Sequence, residues 1–262
     1  MNKWFLGVAL GVVALIVVGC AGMNGFGRSI NVGMATNYAP LAFEKGGELQ
    51  GVEVDFANAL GESLNASVNI KTYSWQALLE ALDNGEIDVV MSGVSITENR
   101  QSMVLFSEPY MEVGQMAIIR TEDAGHLASK ASLMSGSYRI GYSLDTTGQK
   151  FVTETLKSAK QTGFATTQDG IDALVSKKID YFIHDAPTVW QLTSSYPSDD
   201  RLFGVYSPLT EEHLAWAVKA DNKDLQQELN TTLATWKENG FLNRVLRKWI
   251  PVSVVLSEPT TE

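Results

Sequence analysis

Between positions 30 and 91 the chain reads strand, helix, strand, helix, strand, with short connections throughout. An apolar run at 30–34 predicts the first strand. Gly51-Val52-Glu53-Val54-Asp55-Phe56 opens a helix to about Leu64, and Phe56, Ala59, Leu60 and Leu64 fall on one face. A strand is expected at 68–72. A helix follows at 75–82 with Ser74 as its cap, and Asp83-Asn84-Gly85 ends it before a buried strand at 87–91. Consecutive βαβ units joined this closely require a parallel sheet with right-handed crossovers. Such sheets take ligands beyond the carboxyl ends of their strands. Tyr38 (in a loop where Pro40 stops a central strand), Trp75 and the stretch Ser92-Gly93-Val94-Ser95-Ile96-Thr97-Glu98-Asn99-Arg100 all fall at that edge.

That last stretch has the make-up of a pocket for a small anion. Gly93 lets a ligand approach the backbone. Ser95 offers a donor, and Thr97 is a candidate helix cap beside free N–H groups that favour negative charge. Arg100 can hold a carboxylate through two parallel hydrogen bonds. The same spacing equally suits a strand, a turn and a surface arginine, so the rest of the chain has to decide.

The second half repeats this architecture without repeating the sequence. Strands are expected at 115–120, 138–142 and 179–184, and helices at about 149–158 and 168–176. The hydroxyl-rich loop Ser143-Leu144-Asp145-Thr146-Thr147-Gly148 follows one strand, and Asp185-Ala186-Pro187 follows another, with Pro187 in the first turn of a helix. A polar stretch covers 121–130. A strand at 214–219, a helix at 223–238 with Asp221 as its cap, and a helix at 241–249 complete the pattern, with Trp236 and Trp249 as core residues. The tail 257–262 reads as disordered.

Length and charge narrow the function classes. The 262 residues, 45% hydrophobic and 19% charged, suit one large domain or two lobes of about 100 residues each. The net charge of −10, with no cluster of Lys or Arg, excludes nucleic acid as a partner. His126, His184 and His213 are scattered, and no Ser-His-Asp set, cysteine nucleophile or His/Cys metal cluster is visible. At the start, Lys3 precedes an uncharged apolar run over 4–18, which is short for a membrane span and suits the apolar region of a signal peptide. Cys20, the one cysteine, stands directly after it and leaves no disulfide within the chain. Residues 1–19 are therefore expected to be a signal peptide, and the Gly-rich 20–27 a tether.

These features together resemble one family. The signal with Gly19-Cys20, Tyr38-Ala39-Pro40, Gly51-Val52-Glu53-Val54-Asp55, Gly85-Glu86-Ile87-Asp88, Ser95-Ile96-Thr97-Glu98-Asn99-Arg100 and Phe106-Ser107-Glu108-Pro109-Tyr110 resemble the family 3 solute-binding proteins of bacterial ABC transporters, the polar amino-acid binders. Leu209-Thr210-Glu211-Glu212 and Leu214-Ala215-Trp216-Ala217-Val218 fit as well. The likeness covers nearly all of 30–251, and 85–110 is its most specific part. Gly19-Cys20 resembles the lipobox of bacterial lipoproteins, with Cys20 as the lipid-bearing residue.

The resemblance implies an α/β fold, periplasmic-binding-protein-like type II, in which two α/β lobes are joined by a two-strand hinge. Lobe 1 would be 28–112 plus 208–262 and lobe 2 would be 113–207, with crossings near 110–114 and 203–209, closing on a ligand by a hinge motion. Carried over by position, the family's α-carboxylate clamp falls on Arg100, with Ser95 and the Gly93 backbone beside it. A hydroxyl and backbone N–H at Thr146 and Thr147 would complete the clamp. Asp185 falls on the α-ammonium acceptor, where an anion offsets desolvation, and an N-cap role for it stays open. Tyr38 and Trp75 fall on the walls that sandwich the ligand side chain, though Trp75 also suits a helix-start core residue.

Four departures bear on the ligand. Ala35 stands where several binders of cationic ligands have aspartate. Asp145 replaces a common glycine and would either restore a negative charge or cap the next helix. Ser143 is neutral, and His184 reads as a structural histidine. The ligand is accordingly expected to be a neutral, polar or aromatic amino acid. The implied protein is an exported, lipid-anchored substrate-binding protein at the periplasm or cell surface, a monomer with a small amino-acid-like ligand and an ABC permease as partners. No cofactor and no metal is implied. Cyclohexadienyl dehydratases share the fold and the arginine pocket, but the acidic residue expected three positions after Asp185 is here Thr188, which argues against that chemistry. A sensor domain would be expected to add a membrane span and an output domain after Pro251.

Overall fold

The computed structural model describes residues 27–194 and 199–250. The expected signal peptide, Cys20, the tether up to position 26 and the tail 257–262 lie outside the described residues. Among the described residues no helix is long and apolar enough to cross a membrane.

Two sheets organise the chain. In the first, Ser67–Tyr73, Ser29–Ala35 and Val89–Ser95 run parallel in that order, and Glu212–Lys219 joins antiparallel beside Val89–Ser95. Val104–Phe106 and Met111–Val113 both pair with the far side of Glu212–Lys219. In the second, Lys160–Phe164, Arg139–Ser143 and Tyr181–Asp185 run parallel, followed by the antiparallel Gln115–Arg120 and Leu202–Val205. A small third sheet holds Asn37–Tyr38, Ala42–Lys45 and Glu48–Gln50. The helix Val52–Leu64 links the first parallel pair, and Leu78–Asp83 leads into Val89–Ser95. The chain passes from the first sheet to the second at Gly114 and returns over 206–211.

All seven residues of Val89–Ser95 are buried. That is the signature of a central strand covered on both faces. The strand therefore starts later than expected and runs through Ser92-Gly93-Val94-Ser95, beyond the end expected at 91. Small polar residues are tolerated there because their groups are paired: the Ser92 hydroxyl accepts the Ala35 N–H at 3.0 Å. Other expectations also shift. Asn222, not Asp221, caps Lys223–Glu238, accepting the Leu225 N–H at 3.2 Å. Lys160–Phe164 and the hairpin from Ala42–Lys45 to Glu48–Gln50 are strands without a strong apolar pattern. The polar stretch 121–130 contains the short helix Ala124–Leu127.

The core beneath the first sheet is aromatic. The Phe56 ring lies 5.6 Å from those of Tyr110 and Trp236 and 5.8 Å from that of Trp216. Buried at its centre is the Glu53 carboxyl, which accepts from the Gly93 N–H at 2.7 Å, the Tyr110 hydroxyl at 2.6 Å and the Trp216 Nε1–H at 3.0 Å. Burial pushes the Glu53 pKa up and these three donors oppose it. Trp249 departs from the expected core role: it is partly buried, and its Nε1–H joins the Lys248 ammonium on Asp55 at 2.8 and 2.7 Å. That pair ties the last helix, Phe241–Trp249, to the start of Val52–Leu64.

Candidate functional site

A cavity opens between the carboxyl edges of the two sheets. Its walls include Tyr38, Trp75, Gly93, Ser95 and Arg100 from one side, and Thr146, Thr147 and Asp185 from the other. All eight residues that the sequence singled out thus meet around one space. Topology explains the convergence. Parallel strands end at this edge, so the residues that follow them gather there.

Several of these residues do different work from that expected. Gly93 adopts φ +66, and a Cβ there would lie 2.4 Å from Leu41 Cδ1 and 2.7 Å from Tyr38 Cε1. Its N–H is spent on Glu53. The glycine therefore seats the Tyr38 ring, and its amide is not a free donor for a ligand. The Ser95 hydroxyl donates to Glu212 Oε2 at 2.6 Å. Thr97 does cap a helix, accepting the Arg100 N–H at 3.3 Å, but that helix spans only Glu98–Gln101 and Thr97 does not line this cavity. The helix start that faces the cavity is that of Thr147–Thr155, whose first-turn N–H groups lack partners within the helix. Thr146 caps it, accepting the Gln149 N–H at 3.2 Å and donating to the Ser143 carbonyl at 2.7 Å, so its hydroxyl is occupied.

Arg100 is buried, and among the described residues two of its side-chain donors are engaged, Nη1 with the Ser95 carbonyl at 2.9 Å and Nη2 with the Asp145 carbonyl at 3.3 Å. A guanidinium has five donors, so others remain for an anion. Its carbon lies 5.4 Å from the centre of the Trp75 ring, a cation–π distance. Burial lowers the Arg100 pKa and Glu212 opposes that, and the group stays charged. Trp75 Nε1–H also donates to the Asp145 carbonyl, at 3.0 Å. One backbone oxygen of the second side thus fastens two residues of the first. Asp145 holds φ +60, which explains why glycine suits the position. Its exposed side chain is not the cap of the next helix, since Thr146 fills that role.

Asp185 stands at the N-cap position of Ala186–Thr193, yet its side chain makes no capping bond. The carboxylate turns into the cavity, where Oδ1 accepts from Gln115 Nε2. Burial raises the Asp185 pKa well above the ordinary carboxylate range, and the nearby Glu212 raises it further. His184 is fixed by its neighbours: Nδ1 accepts the Asp185 N–H at 2.8 Å, and Nε2 lies 3.0 Å from Thr167 Oγ1. Burial holds its pKa down to about 4, so the imidazole is neutral.

Two residues escaped the sequence reading. Gln115 Nε2 bridges Asp185, Thr147 Oγ1 at 3.1 Å and Glu212 Oε1 at 3.2 Å. Glu212 in turn accepts from Thr210 Oγ1 at 2.7 Å. Both stand at the first residues of antiparallel strands, which brings N-terminal ends to an edge otherwise built from C-terminal ones. Their position one residue or so from a passage between the sheets was the available signal. Thr188, by contrast, lies outside the cavity walls and donates to the Ala39 carbonyl at 2.9 Å. Among the described residues no group of His, Cys, Asp and Glu is arranged to hold a metal. The arrangement is thus a buried cation and a half-buried carboxylate around one cavity, with donors and acceptors from both sheets.

Known proteins are similar to this chain in sequence and fold. The family model for bacterial extracellular solute-binding proteins, family 3, matches residues 30–252. A probable histidine-binding protein of Neisseria gonorrhoeae is 26% identical over 260 residues, covering 95% of this chain and 96% of that one. An ancestral arginine-binding protein bound to arginine superposes with a TM-score of 0.78 at 26% identity, over 86% of this chain and 99% of that one. An ancestral amino acid-binding protein, a precursor of cyclohexadienyl dehydratase, gives a TM-score of 0.75 at 28% identity, over 84% and 94% of the two chains.

Proposed function

The chain belongs to the bacterial extracellular solute-binding proteins of family 3, and from that premise we propose that it is the substrate-binding component of an ABC importer for an amino-acid-like zwitterion. The observation that carries this reading is the pairing of Arg100 and Asp185 in one cavity. A zwitterion presents a carboxylate to the free guanidinium donors and an ammonium to the half-buried aspartate. Each ligand charge offsets the desolvation of its partner. The first-turn N–H groups at Thr147 add donors for the carboxylate, and Tyr38 and Trp75 wall the side chain. Gln115 and Glu212 hold Asp185, Thr147 and Ser95 in position.

Lobe 1 would comprise 28–112 plus 208–262 and lobe 2 would comprise 113–207, hinging at the two passages between sheets. A ligand that touches both lobes favours the closed state by its differential affinity for it. Opening then releases the ligand to a membrane permease. The chain would be exported and held at the membrane by a lipid on Cys20. It would bind and not convert its ligand: the relatives above are named as binding proteins, and Thr188 supplies no general acid.

A thermal-shift panel of α-amino acids on the full-length chain in mild detergent tests the reading. At least one amino acid is expected to raise Tm, and Arg100→Ala is expected to abolish that rise. No response from any α-amino acid, or an equal response from the variant, would remove the clamp. Prephenate and arogenate are expected to be recovered unchanged, and product formation would establish the dehydratase reading instead. Intact-mass measurement of membrane-extracted protein is expected to find the lipid on Cys20.

A further inference from the structure

Among the described residues, two side-chain polar atoms are buried without a hydrogen-bond partner, Tyr38 Oη and Ser143 Oγ. Both residues line the same cavity, Tyr38 from the small third sheet and Ser143 from the end of Arg139–Ser143. Orphaned buried hydroxyls are uncommon in native proteins and call for an explanation. Tyr38 is only 7% exposed. Its ring is seated on Gly93 and lies 5.6 Å from the His184 ring, so the hydroxyl is held where it stands.

Several neighbouring polar groups are already engaged. Both His184 nitrogens have partners, as does the Thr146 hydroxyl. Apart from Arg100 and Asp185, no side chain lining the cavity carries a full charge. Those two are matched to the α-groups of the ligand. The remainder of the wall is neutral and includes Ala35, Leu144 and Ala165.

The geometry points to Tyr38 and Ser143 as the residues that read the ligand's side chain, and to a ligand whose side chain is uncharged and carries a hydrogen-bonding group, a carboxamide or a hydroxyl. This rests on the amino-acid reading above. A charged side chain would be buried without a counter-ion. An aliphatic one would leave both hydroxyls unpaired, and sites built to hydrogen-bond a ligand group reject analogues that lack it.

The full-length chain is titrated with glutamine, asparagine, threonine, leucine, glutamate, lysine and arginine, and the same panel is applied to Tyr38→Phe and Ser143→Ala. One of the first three is expected to bind tightest, at least about tenfold tighter than leucine or any charged amino acid. Each variant is expected to weaken that ligand about tenfold and to leave leucine within about twofold. Circular dichroism checks that the variants fold, and the wild-type order of affinities decides by itself if one does not. Tightest binding of leucine, glutamate, lysine or arginine overturns the inference while leaving the amino-acid reading standing. So does unchanged binding of the best neutral ligand by both folded variants. Binding of no amino acid at all overturns both.

Discussion

At the scale of single residues, the site is a set of groups whose ionisation the protein works against. Asp185 has its pKa raised by burial and by Glu212. A carboxyl raised above its unfolded value contributes most to stability while protonated and loses that contribution as pH rises through the folded pKa. At neutral pH its ionised form therefore opposes folding until a cation joins it. Asp185→Asn is expected to raise Tm by a few degrees, about 1 kcal/mol for a chain of this size, and to weaken amino-acid binding at least about hundredfold, because a ligand ammonium loses its anion. Binding by the wild type is expected to release a proton and to weaken as pH falls through the Asp185 pKa. Calorimetry in buffers of different ionisation enthalpy reads that proton. His184 carries the opposite sign. Its folded pKa of about 4 lies below the ordinary 6.5, so the unfolded chain takes up the proton first. Stability is expected to fall by up to about 3 kcal/mol between pH 6.5 and 4. Urea unfolding of wild type and His184→Gln across that range checks it, the variant showing the shallower slope.

At the scale of elements, position along a strand decides what each residue does. Gly93 lies inside a fully buried strand with φ +66, and a Cβ would strike the Tyr38 ring and Leu41. Gly93→Ala is expected to cost about 1–3 kcal/mol from strain and displacement and to weaken binding by moving Tyr38; unfolding and titration of the same variant measure both. Gly93 was legible from sequence as a residue of the site, but its reason was not, because the clash comes from residues some fifty positions upstream. Ser29–Ala35, Val89–Ser95 and Tyr181–Asp185 were readable, since each carries an apolar run. Lys160–Phe164 was not, because its burial is only partial and its residues are mostly polar. Gln115 and Glu212 were hidden for another reason. Their chemistry is ordinary, and only antiparallel pairing brings the starts of their strands to the ligand edge. Asp185 was ambiguous between cap and acceptor, and its side chain makes no capping bond.

At the scale of the whole molecule, two sheets meet across one cavity and the chain passes between them twice. Polar contacts across the cavity include Trp75 and Arg100 on the Asp145 carbonyl, Thr188 on the Ala39 carbonyl and Gln115 on Glu212, beside the Tyr38–His184 ring pair. Bonds of this kind contribute about 1 kcal/mol each, so a ligand bridging Arg100 and Asp185 has room to set the balance between open and closed. The central claim is that both charges of one zwitterion are held at once. The direct measurement is a titration of the full-length chain with its best amino acid, the des-amino acid that keeps only the carboxylate, and the amine that keeps only the ammonium. The account predicts that the amino acid binds at least about hundredfold tighter than either analogue, since each analogue leaves one buried charge unpaired. An analogue that binds as tightly as the amino acid would contradict it.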